Sequence, residues 1–177
     1  ELTDPQVQQK IESAQKAYEV WRKTDFSKRA GYMYKLAELL REKKQELGQY
    51  ATREMGKPIT QAVAEVEKSA WVCEYYAGHA EEILKKEIIE TDFWESYVQF
   101  DPLGIVFAVM PWNYPFWQVF RFLAPTLMAG NVGLLKHASN VPRCALAIEE
   151  LVVEAGFPQG VFQTLLIGSS KVASVIE

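Results

Sequence analysis

Asn113 is the residue whose type and position point most directly to chemistry in this sequence. It stands three residues after the apolar run Ile105–Met110, a predicted buried strand, and just before a helix predicted to begin at Pro115. At the C-terminal end of a parallel strand, a side-chain amide beside unbonded helix N–H groups can stabilise an oxyanion by about 3–4 kcal/mol. Asparagine is also a preferred helix N-cap, and on spacing alone capping is the commoner role. Both interpretations are open on the sequence alone.

Lys136 is the second residue with a position that suits ligand binding. It follows the apolar run Val132–Leu135 and is expected one residue past the end of a buried strand. An ammonium group there can bind ribose hydroxyls or a phosphate, and a solvated lysine at the rim of the sheet is the ordinary alternative. His137 has no neighbouring ligand residue and is expected in a surface loop. His79 falls within a predicted helix and has no functional assignment either.

Other signals of catalysis or nucleotide binding are weak or missing. Cys73 and Cys144 lack C-x-x-C spacing, so neither a disulfide framework nor a zinc site is expected, and no metal ligands are assigned. Cys73 falls on an apolar helical stripe and is interpreted as a buried, unreactive thiol. No G-x-G-x-x-G or P-loop sequence follows a predicted strand. Six aromatic residues near Asn113 are interpreted mostly as the core face of a helix: Trp112, Tyr114, Phe116, Trp117, Phe120 and Phe122.

The composition narrows the classes of protein to consider. The 177 residues are 49% apolar and 24% charged, which is typical of a globular protein rather than a disordered one. A net charge of −4 does not favour general nucleic-acid binding, because phosphate neutralisation needs a basic surface. The longest apolar run, residues 104–112, is too short to cross a bilayer, and no leader sequence is recognised. A cytoplasmic protein with no nucleic-acid or membrane partner is therefore expected.

Three amphipathic helices are predicted over the first ninety residues. Apolar residues recur there at intervals of three and four, the period of one helix face. The expected N-caps are Asp4 for the first helix, Ser27 for the second and Thr60 for the third. The second helix is predicted to run without a break to Gly56, because glycine suits a C-cap and the proline that follows cannot continue the helix.

The pattern after Lys86 alternates short apolar strands with helices. Tyr97–Phe100 and Ile105–Met110 flank the turn sequence Asp-Pro-Leu-Gly and are predicted to form a hairpin or two strands joined by a tight loop. The alternation from residue 105 onward is typical of a parallel sheet. The predicted fold class is α/β: N-terminal helices, a β-hairpin and one half of a doubly wound, Rossmann-like sheet. The strands and helices of that half are predicted at residues 105–110, 116–128, 132–135, 141–155 and 162–167.

Four stretches of sequence resemble the aldehyde dehydrogenase superfamily in their residues, order and spacing. They are Met110–Pro115, Leu123–Asn131, Leu135–Ser139 and Glu154–Phe162, and the resemblance covers the whole chain. Within the superfamily, the segments Pro-Phe-Trp-Gln-Val-Phe-Arg and Leu-Lys-His-Ala are most similar to bacterial succinate-semialdehyde dehydrogenases. The resemblance implies an incomplete aldehyde dehydrogenase fold. Residues 1–90 would be the helical part of the cofactor domain and residues 91–177 the βαβαβ half of the NAD(P)-binding domain, with the catalytic domain absent.

The resemblance also implies a reaction and a cofactor. An aldehyde, succinate semialdehyde in this subfamily, would be oxidised to the acid through a thiohemiacetal on a cysteine, with NAD or NADP accepting the hydride. The family's cysteine nucleophile and general-base glutamate would both lie beyond residue 177, so the chain is expected to be a fragment that is inactive alone. A homodimer or homotetramer is expected. Two alternatives are an acyl-phosphate or acyl-CoA reductase of the same superfamily and a non-catalytic binding or oligomerisation module.

Site residues follow from the same resemblance. Asn113 corresponds to the asparagine of the family's oxyanion hole. Ser139 stands where many NAD-preferring relatives have a glutamate, and a neutral hydroxyl does not repel the 2′-phosphate of NADP. NADP is therefore expected to serve at least as well as NAD. The cofactor contacts are assigned to Met110, Pro111, Trp112, Lys136 and Ser139.

Overall fold

A computed structural model describes residues 1–176 of the chain. Helices precede a small antiparallel ladder, and strands then alternate with helices, so the predicted α/β class is confirmed. None of the helices in the described range is long and apolar enough to span a membrane. The helices are α1 (Asp4–Trp21), α2 (Phe26–Glu42), α3 (Lys44–Met55), α4 (Ile59–Ile83), α5 (Trp117–Met128), α6 (Pro142–Glu154) and α7 (Val172–Ile176), with a 3₁₀ turn at Ser169–Lys171. The strands are β1 (Glu87–Ile88), β2 (Tyr97–Val98), β3 (Ile105–Met110), β4 (Val132–His137) and β5 (Phe162–Thr164).

Strands β3, β4 and β5 form the parallel sheet predicted from the alternation of strands and helices. Their order in the sheet is β3-β4-β5, and the register pairs Ile105 with Val132 and Met110 with His137. The C-terminal ends of β3 and β4 therefore lie side by side. Buried side chains of the N-terminal helices and of the sheet form one continuous hydrophobic core. The indole N–H of Trp21 on α1, for example, donates to the carbonyl of Leu127 on α5 at 3.0 Å.

Of the two alternatives for residues 97–100 and 105–110, the hairpin is wrong, and two strands joined by a loop are found instead. Strand β2 pairs antiparallel with β1, with Glu87 opposite Val98, and β3 pairs with β4 instead. The reason is a long-range contact, because Asn131 Oδ1 accepts hydrogen bonds from the N–H groups of Leu103 and Gly104 at 2.6 and 3.0 Å. The segment that would close a hairpin is thus fixed beside the start of β4.

The predicted second helix is divided into α2 and α3 at Lys43, which has φ −96° and ψ 9°. Because residues 41–46 are all polar, no apolar side chain there holds a continuous helix against the core. Helix α3 ends at Gly56, as predicted, with φ +74° in the left-handed region that favours glycine.

The three predicted N-caps are each displaced by one or two residues. Thr3 precedes α1, with the Gln6 side chain accepting its backbone N–H at 2.9 Å. Asp25 caps α2, because its carboxylate accepts the N–H of Lys28 at 2.7 Å. Pro58 precedes α4 without a side-chain cap, so Thr60 lies inside that helix.

Candidate functional site

Asn113 lies in the loop that leaves the C-terminal end of β3, next to the end of β4. Its side chain is exposed, and Trp112 and Tyr114 on either side are 50% and 47% exposed. The Oδ1 atom accepts a hydrogen bond from Gln118 Nε2 at 3.5 Å, the upper limit for such a contact. Within residues 1–176 the amide Nδ2 has no hydrogen-bond partner. The side chain therefore presents an unused donor at the strand end.

Asn113 does not cap the helix that follows it. Helix α5 begins at Trp117 rather than Pro115, and the N–H groups of Phe116 and Trp117 donate to Glu65 Oε1 at 2.8 and 3.0 Å. The capping interpretation of Asn113 is therefore wrong. The expectation that free helix N–H groups lie beside Asn113 is wrong as well, because the Glu65 carboxylate on α4 accepts hydrogen bonds from them.

Glu65 is part of a buried ion pair that was not predicted from the sequence. Its other oxygen, Oε2, pairs with the ammonium of Lys57, and the two side chains are 2% and 7% exposed. Lys57 also donates to the backbone carbonyl of Asn113 at 3.2 Å, and its ammonium lies 3.7 Å from the centre of the Tyr114 ring. The sequence contains an indication of this pair, because Glu65 is a charged residue on the otherwise uncharged buried face of α4, next to Val66.

His137 is buried, which corrects the expectation of a surface-loop histidine. It is the last residue of β4 and 5% exposed. Its Nε2–H donates to the carbonyl of Pro115 at 2.9 Å, and Nδ1 accepts the N–H of Ala138 at 2.9 Å. Burial lowers the pKa of His137 below its ordinary value, opposed by its hydrogen bond to the carbonyl of Pro115. The neutral ring ties the end of β4 to the Asn113 loop.

Lys136 lies inside β4, not one residue beyond it, because the strand continues to His137. The residue is 7% exposed, so the alternative of a solvated rim lysine is wrong. Its ammonium forms no salt bridge with any carboxylate of residues 1–176. Lys136 and His137 point to opposite faces of the sheet, as neighbours in a strand do.

A small cavity of about 160 Å³ lies beyond the end of β4 and contains Ser139. Ser139 is exposed there, while Leu165 and Ile167 beyond β5 give the cavity buried apolar walls. Lys136, Met110, Pro111 and Trp112 do not line it, so the predicted cofactor contacts share one edge of the sheet but not one cavity. The lining residues are Glu1, His137, Ala138, Ser139, Pro142, Leu165, Leu166 and Ile167.

A larger cavity of about 750 Å³ lies on the side of Asn113 that faces α4 and α5. The ammonium of Lys68 lies 4.2 Å from the ring centre of Trp117, and Arg121 Nη2 donates to Gln118 Oε1 at 3.4 Å. Neither cation is salt-bridged to a carboxylate within the described range. The cavity thus combines an amide donor with two available positive charges. Its lining residues are Lys57, Gln61, Ala64, Glu65, Lys68, Asn113, Tyr114, Trp117, Gln118 and Arg121.

The two cysteines line neither of these cavities. Cys73 is fully buried on α4, as predicted, and burial raises the pKa of its thiol. Cys144 is buried on α6, and burial with the nearby Glu54 carboxylate raises the pKa of its thiol too. Both thiols are held in the un-ionised, unreactive form. In residues 1–176 no group of three or more His, Cys, Asp or Glu side chains is arranged to hold a metal ion.

The aromatic residues near Asn113 divide between core and surface. Phe116 and Phe120 are fully buried, which agrees with the core interpretation. Trp112 and Tyr114 are half exposed, because they lie in the loop before α5 rather than on its buried face.

Comparisons with known proteins agree on one family. Residues 1–176 match the aldehyde dehydrogenase family. A Synechocystis sp. protein named probable succinate-semialdehyde dehydrogenase (NADP+) is 55% identical over 169 residues, covering 96% of this chain and 37% of the relative. A Mycobacterium bovis succinate-semialdehyde dehydrogenase (NADP+) is 44% identical, covering 98% and 39%. The crystal structure of succinic semialdehyde dehydrogenase from Streptococcus pyogenes in complex with NADP+ superposes with a TM-score of 0.94 and 38% identity, covering 98% and 38%. The chain therefore spans somewhat more than a third of the length of these relatives.

Proposed function

This chain belongs to the aldehyde dehydrogenase family, and on that premise we propose that it is the cofactor-domain part of an enzyme that oxidises succinate semialdehyde with NADP. Both parts of the chain, residues 1–90 and 91–177, belong to that domain in this proposal. The nucleophilic cysteine and the general base are supplied by the rest of the protein, so residues 1–177 alone have no activity. The observation that carries the proposal is the Asn113 Nδ2 donor, unpartnered within residues 1–176, in a cavity with two available cations.

The proposed role of Asn113 is to donate a hydrogen bond to the oxygen of the aldehyde as negative charge develops on it. Its Nδ2 is unused, and its position beyond the end of β3 is where reacting groups collect in sheets of this type. A donor that is already in place stabilises the charged oxygen of the transition state more than it stabilises the neutral carbonyl oxygen of the bound aldehyde. That difference accelerates the reaction. The helix N–H groups take no part, because Glu65 holds them.

The proposed carboxylate site is formed by Lys68 and Arg121. Both side chains line the cavity that contains Asn113, and neither is salt-bridged within residues 1–176. A guanidinium group binds a carboxylate through two parallel hydrogen bonds. A short substrate with an aldehyde at one end and a carboxylate at the other suits this arrangement. The name of the Synechocystis relative supports succinate semialdehyde as that substrate.

The proposed cofactor site is the shared edge of β3 and β4. The Lys136 ammonium without a carboxylate partner and the exposed Ser139 hydroxyl provide a donor set that fits a ribose or its 2′-phosphate. The apolar walls of the small cavity fit a planar base. NADP bound there supplies the hydride acceptor. Met110, Pro111 and Trp112 border the site from the end of β3, and the NADP+ complex of the Streptococcus pyogenes enzyme supports this cofactor.

Self-association is part of the proposal. Phe93 and Trp94, in the loop between β1 and β2, are almost completely exposed, at 81% and 102%, and Leu103, just before β3, is 92% exposed. Large apolar surfaces of this kind mark contacts with other protein surfaces. We expect a homodimer or homotetramer of the full-length protein, and a monodisperse monomer in light scattering would contradict that.

The experiment that tests the substrate compares succinate semialdehyde with butanal, which has the same chain length but no carboxylate. In the full-length enzyme, Arg121→Gln should lower kcat/KM for succinate semialdehyde about 10- to 100-fold, the effect of losing one charged hydrogen bond. The value for butanal should stay nearly constant. Equal losses for both substrates, or no turnover of either by the wild type, would contradict the proposal.

A further inference from the structure

We propose that Lys57, Glu65 and His137 act together as positioning residues for Asn113, an inference that rests on the proposed function of Asn113 as oxyanion donor. These three side chains fix the backbone of residues 113–117, and we name them the loop clamp. None of the three donates to the substrate oxygen in this proposal. Their effect on catalysis passes through the place and orientation of the Asn113 amide.

The first half of the loop clamp is the Lys57–Glu65 pair. Glu65 Oε1 holds the N–H groups of Phe116 and Trp117, while Oε2 pairs with Lys57. Lys57 in turn donates to the carbonyl of Asn113 itself, at 3.2 Å. One continuous chain of hydrogen bonds thus runs from the start of α5, through α4, back to the backbone of Asn113.

The second half of the loop clamp is His137. Its Nε2–H donates to the carbonyl of Pro115 at 2.9 Å from the end of β4. The partner group on the other ring nitrogen is the N–H of Ala138, which fixes the ring in one neutral tautomer. Strand β4 therefore holds the loop at a further point, the carbonyl of Pro115.

The side chain of Asn113 needs this support because almost nothing else holds it. Its single hydrogen bond within the described residues is the 3.5 Å contact with Gln118, and the side chain is exposed. The backbone therefore sets the position of this side chain and limits its rotamers, and the loop clamp holds that backbone at Asn113, Pro115 and Phe116. Catalytic groups misplaced by about 1 Å lose roughly 100-fold in rate, so small shifts of this loop matter.

The test measures whether the loop clamp acts through Asn113. In the full-length enzyme, kcat is compared for the wild type, Asn113→Ala, the double variant Lys57→Met/Glu65→Gln, and the triple variant that combines all three substitutions. The double variant replaces the ion pair by neutral side chains of similar size, and its kcat should fall about 10- to 100-fold. The KM for NADP should change by less than about twofold. The triple variant should have the kcat of Asn113→Ala within about twofold, because no donor remains to be positioned.

Other results would overturn the inference. If the losses in kcat multiply in the triple variant, or if the double variant keeps the wild-type kcat, the loop clamp does not act through Asn113. Where the double variant does not fold, His137→Leu removes the other half of the loop clamp without leaving a buried charge, and its loss of kcat of about twofold or more should likewise vanish beside Asn113→Ala.

Glu54 provides a matched control for removal of a capping glutamate. Its two oxygens accept the N–H groups of Arg143 and Cys144 at the start of α6, at 2.7 and 2.9 Å. Any loss of kcat caused by Glu54→Gln should multiply with the loss caused by Asn113→Ala when the two substitutions are combined. A Glu54→Gln loss that disappears in the presence of Asn113→Ala would contradict the inference. If Asn113→Ala itself keeps the wild-type kcat, the proposed function of Asn113 fails. If instead Asn113→Ala shows its full loss of kcat, and this loss multiplies with that of the Lys57→Met/Glu65→Gln double variant, only the loop-clamp inference fails.

Discussion

Replacing Asn113 by alanine separates catalysis from stability in one variant. The side chain is exposed, and its only hydrogen bond within residues 1–176 is the 3.5 Å contact with Gln118. The start of α5 is held by Glu65, so the substitution leaves the helix cap in place. We therefore expect the free energy of unfolding to change by less than about 0.5 kcal/mol, as at exposed positions elsewhere.

The expected effect of Asn113→Ala on turnover is much larger. Loss of one oxyanion donor lowers kcat about 10²–10³-fold, which corresponds to about 3–4 kcal/mol of transition-state stabilisation. The KM for NADP should change little, because the cofactor contacts are assigned to other side chains, among them Lys136 and Ser139. The assay is NADPH formation by the full-length enzyme at saturating succinate semialdehyde, with thermal unfolding followed on the same samples.

The opposite pattern would refute this reasoning. A fall of about 1 kcal/mol in the free energy of unfolding with unchanged kcat is the signature of a lost helix cap. Asn140→Ala is a matched control, because Asn140 is also an exposed asparagine after a strand end but lines neither cavity. It should change neither kcat nor stability.

Three further predictions concern stability, cofactor choice and pH. Lys57→Met leaves the Glu65 carboxylate buried without its cation, so the free energy of unfolding should fall by about 3–5 kcal/mol in denaturant titrations. Lys68→Met, at an exposed position, should cost under about 0.5 kcal/mol, and equal costs for the two variants would contradict the importance of the buried pair. Ser139→Glu should lower kcat/KM for NADP about tenfold or more relative to NAD, because the new carboxylate repels the 2′-phosphate, and an unchanged ratio in steady-state kinetics would place the phosphate elsewhere. The pKa of His137 is lowered in the folded chain by burial, so the unfolded chain binds a proton first as the pH falls, and stability should decrease from about pH 6.5 downward toward the folded pKa. His137→Gln, whose amide can still donate to Pro115, should remove that part of the pH dependence in thermal melts, and an unchanged profile would assign it to other groups.

Local patterns in the sequence were sufficient to predict the sheet and its helices, since each of these elements carries its own period and its own turn residues. The errors lie where a distant side chain decides the outcome. Asn131 fixes the turn before β3 and so prevents the expected hairpin, and Glu65 occupies the helix start that Asn113 was expected to face or cap. Each contact joins residues more than 25 positions apart. No spacing rule for helices, strands or turns contains that information.

The residues of the candidate site were easier to single out from the sequence than the residues that support them. Asn113 and Lys136 follow or end apolar runs, and the ends of parallel strands meet at one edge whatever the details of packing. His137 was misplaced because β4 continues two residues beyond its last apolar residue, through Lys136, and a polar residue at a strand end carries no mark of burial. A charged residue on an otherwise apolar helix face, as Glu65 is on α4, is the signal that could have been used.

The two helices that follow β3 and β4 differ in one respect from those of common dinucleotide-binding folds. There, a glycine-rich turn leaves the helix N-terminus open, and its N–H groups bind the pyrophosphate. Here the starts of α5 and α6 are occupied by the carboxylates of Glu65 and Glu54, which come from α4 and α3. A carboxylate at that position satisfies the N–H groups and repels phosphate. At these two helix starts a glycine-rich turn would have no phosphate to approach. The cofactor site that we propose therefore relies on strand-end side chains such as Lys136 instead.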